Sequence, residues 1–455
     1  MIAKNGIRVA VIGLFCAALL WSGSSCRRES RIPRNVILFI SDGCGFAHVD
    51  AASLYQFGRT GRQAYESFPV RLAMSTYPAG KQGYNPDEAW ASFDYVKDGS
   101  TDSAASATAM ATGVKTYNGA INWDVDGKPL RTFFETAEEK GKATGIVSSV
   151  MFSHATGACF AAHNPKRSNY VEIAREMIQE SAVDVILGCG HPYYSTSGRK
   201  LRSSRFKFVG GEETWQSLLD GSAGGDADGD GRADPWILVQ TRAEFQALAE
   251  GTTPRRVIGL PLIYQTLQQQ RSGSAKAAPF EIPLLETVPT LVEMTEAALN
   301  ILDDDPDGFY LMVEGGAVDW AAHSNQSGRV IEEQIDFNHA IEAVIAWVEK
   351  HGGWNETLVI VTADHETGYL NGRGSGPADP DNGGEPRWEP LGSNGRGKQP
   401  DMVWHIGGHT NMLVPFYAKG AGSRALEDVA DQVDPVRGRY LDNSDIARVV
   451  FSFLQ

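Results

Sequence analysis

Asp319 and His323 stand four residues apart, a spacing that can put a carboxylate and an imidazole on one face of a helical turn. That pair suits zinc, and His409 can add a third donor from a distant loop. Asp364 and His365 are adjacent, so within a strand they would point to opposite faces, whereas in a loop just past a strand both can turn to one ion. Asp42 and Glu314 likewise come directly after short apolar runs. A phosphate hydrolase of the two-metal kind needs cations roughly 4 Å apart, one to activate the nucleophile and one to stabilise the leaving oxygen. Carboxylates and imidazoles in this number are the donors such a pair requires.

A candidate nucleophile lies in the run Thr101-Asp102-Ser103-Ala104-Ala105-Ser106-Ala107-Thr108-Ala109, which continues to Gly119. Alanine-rich sequence favours helix, and Asp102 or Ser103 at its start would meet free backbone N–H groups and the positive end of the helix dipole. A serine there can carry an alkoxide or a phosphoryl group. Taken alone, an ordinary helix cap is the plainer reading. Arg167 offers a planar guanidinium that can grip two phosphate oxygens at once, which a lysine cannot, although its Asn-Pro-Lys-Arg-Ser setting by itself suggests a solvent-facing charge.

The elements that must position these residues are legible as apolar, β-branched runs: Asn35 to Ser41, Gly145 to Val150, Asp184 to Leu187, Phe309 to Val313, Thr357 to Thr362 and Val414 to Ala418. Continuous apolar runs fit strands buried on both faces, which predicts an α/β three-layer sandwich, a mostly parallel central sheet covered by helices on both sides. A helix from about Val330 to Lys350 is predicted to stop at Gly352-Gly353. In such a sheet, functional residues collect beyond the carboxyl ends of strands, and Asp42, Glu314, Asp319, Asp364 and His365 all fall there. The stretches 221–234 and 371–400 lack apolar periodicity and read as loop insertions.

The chain has 455 residues with 56 acidic against 41 basic side chains, a balance that argues against general affinity for nucleic acid or anionic membrane. Lys4 and Arg8 precede an apolar run from Val9 to Trp21, then small residues and Cys26, the order of a secretory signal peptide over residues 1–25. Two outcomes stay open there: simple cleavage, or a lipoprotein-type signal with Cys26 acylated and the chain attached to the cell envelope. Residues 26–34 then form a linker and 35–455 the catalytic domain, exported to the periplasm or envelope. Cys44, Cys159 and Cys189 show no pairing pattern and are expected to be small buried core residues.

Six motifs in one order give these pieces a collective meaning: Ile40-Ser41-Asp42-Gly43-Cys44-Gly45, the Tyr95 to Gly119 segment, His154-Ala155-Thr156 with Arg167, Val313-Glu314-Gly315-Gly316 leading to Asp319 and His323, Thr362-Ala363-Asp364-His365-Glu366-Thr367, and Gly408-His409-Thr410. Together they resemble the alkaline phosphatases over roughly Asn35 to Gly420. The resemblance implies hydrolysis of phosphate monoesters through a phosphoserine on Ser103, with Asp102 orienting it and Arg167 holding phosphate. It further implies one zinc on Asp319, His323 and His409, a second on Asp42, Asp364 and His365 completed by Ser103, and a magnesium on Asp42, Thr156 and Glu314. A homodimer is implied in the same way. His154 stands where some members have aspartate, and Trp320 where others have lysine or histidine, so His154 is either a direct ligand or a holder of water in the magnesium shell.

Outside this set, Asp226, Asp228, Asp230, Gly231 and Asp234 alternate like a calcium loop, yet the closing position is Ile237 rather than glutamate. Calcium binding and a plain acidic insertion both stay open. A phosphodiesterase or sulfatase of the wider superfamily shares the two-metal ligands but lacks the Thr-Asp-Ser-Ala-Ala-Ser helix combined with an arginine in the Arg167 position. An exported binding protein that retains metal or phosphate without turnover is the reading from another class, and the presence of every proposed ligand and of the nucleophile speaks against it.

Overall fold

The computed structural model of the chain describes residues 32–227, 231–379 and 384–455. The leader, Cys26, Asp228 and Asp230 lie outside the described residues. Strands β1 (Asn35–Ser41), β2 (Val70–Ser75), β3 (Ala143–Met151), β4 (Val185–Cys189), β5 (Ile237–Val239), β6 (Val257–Gly259), β7 (Phe309–Gly315) and β8 (Thr357–Thr362) come first. Short strands β9 (Glu366–Thr367), β10 (Leu370–Asn371), β11 (Val403–Trp404) and β12 (His409–Thr410) follow, then β13 (Val414–Gly420), β14 (Gln432–Asp434) and β15 (Gly438–Asp442).

An 11-stranded sheet runs β14-β15-β2-β13-β8-β1-β7-β3-β4-β6-β5. Every residue of β1, β7 and β8 is buried, as their unbroken apolar runs require. The helices Leu291–Leu302 and Ser327–Lys350 pack against the sheet at β1, β3, β4 and β7, while Ser103–Thr112, Phe133–Glu138 and Ser444–Phe453 form the layer on the opposite face. The long helix ends where the sequence said, with Gly352 and Gly353 both in the left-handed region that a side chain resists.

The sheet is mostly parallel, as expected; β13 runs antiparallel to both neighbours, β2 and β8, and β14 antiparallel to β15. β13 leaves the His409 loop at the carboxyl end of the parallel strands, so it can only run back down. β2, β14 and β15 carried too weak a pattern to read, since exposed Arg71 interrupts β2 and the other two lie at the edge with exposed residues. Cys44, Cys159 and Cys189 are buried free thiols. In the 221–234 insertion, Asp226 accepts a hydrogen bond from Gly231 N and Asp234 from Ala227 N, so both carboxylates brace turns. Among the described residues, no helix is long and apolar enough to cross a membrane.

The segment leading to Arg167 is pinned by His163, whose ring lies 3.2 Å from Glu176 and 3.6 Å from Glu135, carboxylates of two different helices. Burial opposes its charge, but the two carboxylates outweigh it and raise the imidazole from 6.5 to about 10. A raised histidine pKa stabilises the fold fully below 6.5, and that contribution is lost as pH climbs through about 10. Thermal melts should therefore show wild type above His163→Gln near neutrality, with the gap closing toward pH 10. A gap that stays constant across that range would show that the imidazole is not charged in the folded protein.

Candidate active site

The strands β8, β1, β7 and β3 are adjacent and parallel, so the residues just past their carboxyl ends must meet. Register aligns Ile40 with both Glu314 and Thr362, and Ser148 with Glu314. Asp42 therefore sits between Glu314 on one side and Asp364 with His365 on the other. Gly43 makes the turn at φ +75, and a Cβ there would lie 2.8 Å from the Cα and Cβ of Asp319. The absent side chain lets β1 approach the Asp319 helix, while Gly43 N donates to Asp364 Oδ1 at 3.0 Å.

Three groups of donors result, each with ligand atoms within 4.8 Å of one another: Asp319, His365 and His409; Asp42, Asp364 and His365; Asp42, Glu314 and His154. His323 joins the first, its Nε2 lying 3.4 Å from Asp319 Oδ2 and 3.0 Å from His409 Nε2. His323 Nδ1 faces the Gly407 carbonyl at 2.6 Å and His409 Nδ1 the Thr101 carbonyl at 2.8 Å. If each ring gives its N–H to the carbonyl, two lone pairs face each other across 3.0 Å, and a positive charge must sit between them. Thr156, fully buried, lies in the short helix after β3 with its Oγ1 unpartnered.

Orphaned polar atoms collect here: both carboxylate oxygens of Asp42, Glu314 Oε1, Asp364 Oδ2, His154 Nδ1 and Thr156 Oγ1 are buried without a hydrogen-bond partner. Leaving ionised groups so costs several kcal/mol each, far beyond what a domain tolerates without compensation. Burial, together with Asp364, Asp319 and Glu314, drives the Asp42 carboxyl well above its usual range. Burial likewise lifts Asp364 to about 6 and Glu314 to about 7. At Asp319 burial is overcome by His409, His365 and His323, and the carboxyl is held low. This donor set fits divalent cations: imidazole and carboxylate at one end suit zinc, and the carboxylate and hydroxyl oxygens around Asp42 suit a harder ion.

Ser103 is the first residue of the wholly buried helix Ser103–Thr112, whose small side chains let it pack beneath the sheet ends. Asp102 caps that helix, Oδ1 accepting from Ala105 N at 2.9 Å and Oδ2 from Arg167 Nη1 at 2.9 Å. Ser103 Oγ lies 3.3 Å from His365 Nε2. Ser106 Oγ donates to the Asp364 carbonyl and accepts from Asn443 Nδ2, which ties the helix to the metal-ligand loop. Arg167 Nη2 is 3.2 Å from His154 Nε2, and His154 also belongs to the Asp42–Glu314 donor group.

A cleft of about 360 Å³ opens over these groups, lined by Ser103, Arg167, Asp319, His323 and His409. Its remaining wall includes Gln269, Gln270, Trp320 and Ser324. The two glutamines were not anticipated, because they lie in a loop with no periodic pattern and become neighbours of the site only through folding. The same is true of Ser148, which donates to Glu314 at 2.6 Å, and of Thr367, which donates to Asp319 at 2.6 Å. Asp226 and Asp234 lie in a separate insertion, and none of these groups includes them.

Residues 33–403 match the family model for alkaline phosphatase. Alkaline phosphatase 3 of Bacillus subtilis (strain 168) is 33% identical over 379 residues, covering 80% of this chain and 70% of that protein. The alkaline phosphatase of Escherichia coli (strain K12) is 30% identical over 362 residues, covering 73% of this chain and 70% of that one. Among solved structures, alkaline phosphatase from the Antarctic bacterium TAB5 superposes with a TM-score of 0.63 at 25% identity, covering 93% of this chain and 99% of that chain. A family match of this extent, over a fold that gathers buried carboxylates and imidazoles beside a helix-capping serine, means that the chain belongs to the alkaline phosphatase family.

Proposed function

We propose that this chain hydrolyses phosphate monoesters by double displacement, with Ser103 as nucleophile and two zinc ions and one magnesium ion as cofactors. The observation that carries the reading is Ser103 Oγ itself, at a helix start, 3.3 Å from an imidazole of the buried donor cluster and in the cleft with Arg167. Asp319, His323 and His409 would hold one zinc, Asp42, Asp364, His365 and Ser103 the other, and Asp42, Thr156 and Glu314 the magnesium with His154 in its shell. When bound, these cations supply Lewis acidity to the serine oxygen, the leaving oxygen and the attacking water.

Ser103 Oγ attacks phosphorus in line, its bond to phosphorus forming as the ester P–O bond breaks and the alcohol departs. Water then forms the new P–O bond while the bond to Oγ breaks, releasing phosphate and restoring the hydroxyl. Arg167 contributes two parallel N–H donors to phosphoryl oxygens, and the Asp102 carboxylate keeps its guanidinium charged and aimed. The N–H groups at the start of the Ser103 helix add a positive dipole end where negative charge accumulates. Export, with the leader removed or Cys26 acylated, belongs to the same reading and is supported by the order of basic, apolar and small residues in 1–28.

Ser103→Ala should keep its metals, measured by elemental analysis, and lose roughly 10³-fold or more of turnover on p-nitrophenyl phosphate. Undiminished turnover would remove Ser103 from the mechanism. Arg167→Ala should cost about 10- to 100-fold in kcat/KM, the loss of charge-assisted hydrogen bonds of about 1.5–3 kcal/mol, with Arg167→Lys recovering only part of it. Full recovery by lysine would show that geometry at this position is unimportant. Exhaustive chelation should abolish turnover and lower the melting temperature, both restored by zinc with magnesium, since cations that bind only the folded state stabilise it by mass action. Unchanged stability after chelation would mean that the buried carboxylates are neutralised by protons alone.

A further inference from the structure

From Val185 through Gly211 the chain carries no Asp or Glu, yet Arg199, Lys200, Arg202, Arg205 and Lys207 fall within it. All five are exposed, in a molecule whose net charge is −15. Among the described residues none of the five forms an ion pair, although nine pairs of Lys or Arg with a carboxylate occur elsewhere. Unpaired cations concentrated in one loop of an acidic protein are not what a merely solvated surface requires. The loop is held in place: Ser195 N donates to the Arg199 carbonyl, Leu201 N to Tyr193 and Arg205 N to Pro192.

Position gives this charge a use. The loop follows β4 at the same sheet end as the active site. Arg205 lies over the Tyr264 ring at 5.1 Å and Lys207 over Tyr170 at 4.3 Å. Those rings pack with Phe208 in the cluster that Trp320 joins, and Trp320 is a wall of the cleft. Ser153, next to cleft-lining His154, donates to the Phe208 carbonyl at 3.2 Å. Arg205 and Lys207 thus lie one aromatic layer from the cleft, on the loop that also carries Arg199, Lys200 and Arg202.

Resting on the reading of the cleft as a phosphomonoester site, we propose that the loop Arg199–Lys207 is an electrostatic subsite for substrates whose leaving group is an extended anionic chain. With a net charge of −15 the molecule as a whole repels an anion, and cations gathered one aromatic layer from the cleft oppose that field locally; such focusing raises association rates by about 10- to 1,000-fold. A chain bearing a terminal phosphate would place that phosphate between Ser103 and Arg167 and lay its remaining charges along the loop. The effect screens out with salt, because the Debye length is about 10 Å at 0.1 M.

The test compares three substrates: p-nitrophenyl phosphate, a 5′-phosphorylated oligothymidylate, and the same oligomer with an uncharged methylphosphonate backbone. The variants are Arg199→Gln/Lys200→Gln/Arg202→Gln, which leaves the aromatic cluster untouched, and the variant with all five cations changed to Gln. At low salt, kcat/KM for the phosphodiester chain should fall by about tenfold in the triple variant and further in the quintuple one. The methylphosphonate chain and p-nitrophenyl phosphate should stay within about twofold, and high salt should erase the difference in wild type. Equal losses on all three substrates, or no loss on the charged chain, would overturn the subsite. Loss of binding to phosphatidylglycerol vesicles with unchanged substrate preference would overturn it too, assigning the loop to a membrane surface. Absence of p-nitrophenyl phosphate turnover in wild type would instead strike the catalytic reading on which the subsite rests.

Discussion

Four buried carboxylates, Asp42, Glu314, Asp319 and Asp364, meet in a volume that cannot hold them all ionised without added positive charge. The rest of the structure is arranged around that conflict. Adjacent parallel strands bring the acids together at their carboxyl ends, the turn at Gly43 brings one strand against a helix, and imidazoles close the remaining sides. Either protons or bound cations can relieve that repulsion, and the raised carboxyl pKa values of Asp42, Glu314 and Asp364 measure how strongly the site demands one or the other.

Positioning of the reacting groups depends on one residue with two tasks. Asp102 caps the Ser103 helix through one oxygen and fixes Arg167 through the other, so the proposed nucleophile and the proposed phosphate clamp share a single anchor. Losing an N-cap costs about 1 kcal/mol, a modest effect on stability. The loss of alignment between serine and guanidinium would bear more heavily on turnover than on folding. His154 touches Arg167 and also belongs to the Asp42–Glu314 donor group, so it links the arginine to that part of the donor cluster.

Charge is distributed unevenly beyond the site. The composition, averaged over the chain, argues for a molecule that avoids polyanions. Local sequence tells a different story, because a net charge averages over faces that never see the same ligand. The loop after β4 concentrates cations near a cleft whose buried groups are acidic.

Local sequence was enough for the sandwich class, the buried central strands β1, β7 and β8, the long helix and its glycine stop, and the strand-end placement of the candidate donors, because continuous apolar runs and local caps are short-range signals. The family resemblance supplied the grouping of Asp42, Asp319, His323, Asp364, His365 and His409, which spacing alone left open. Only the tertiary structure decided the antiparallel course of β13, the entry of Gln269 and Gln270 into the cleft wall, the hydrogen bonds from Ser148 and Thr367 to the acids, and the contact of His154 with Arg167. Those features depend on residues far apart in the chain meeting at the ends of the sheet strands, and no local periodicity encodes which distant loop will lie opposite.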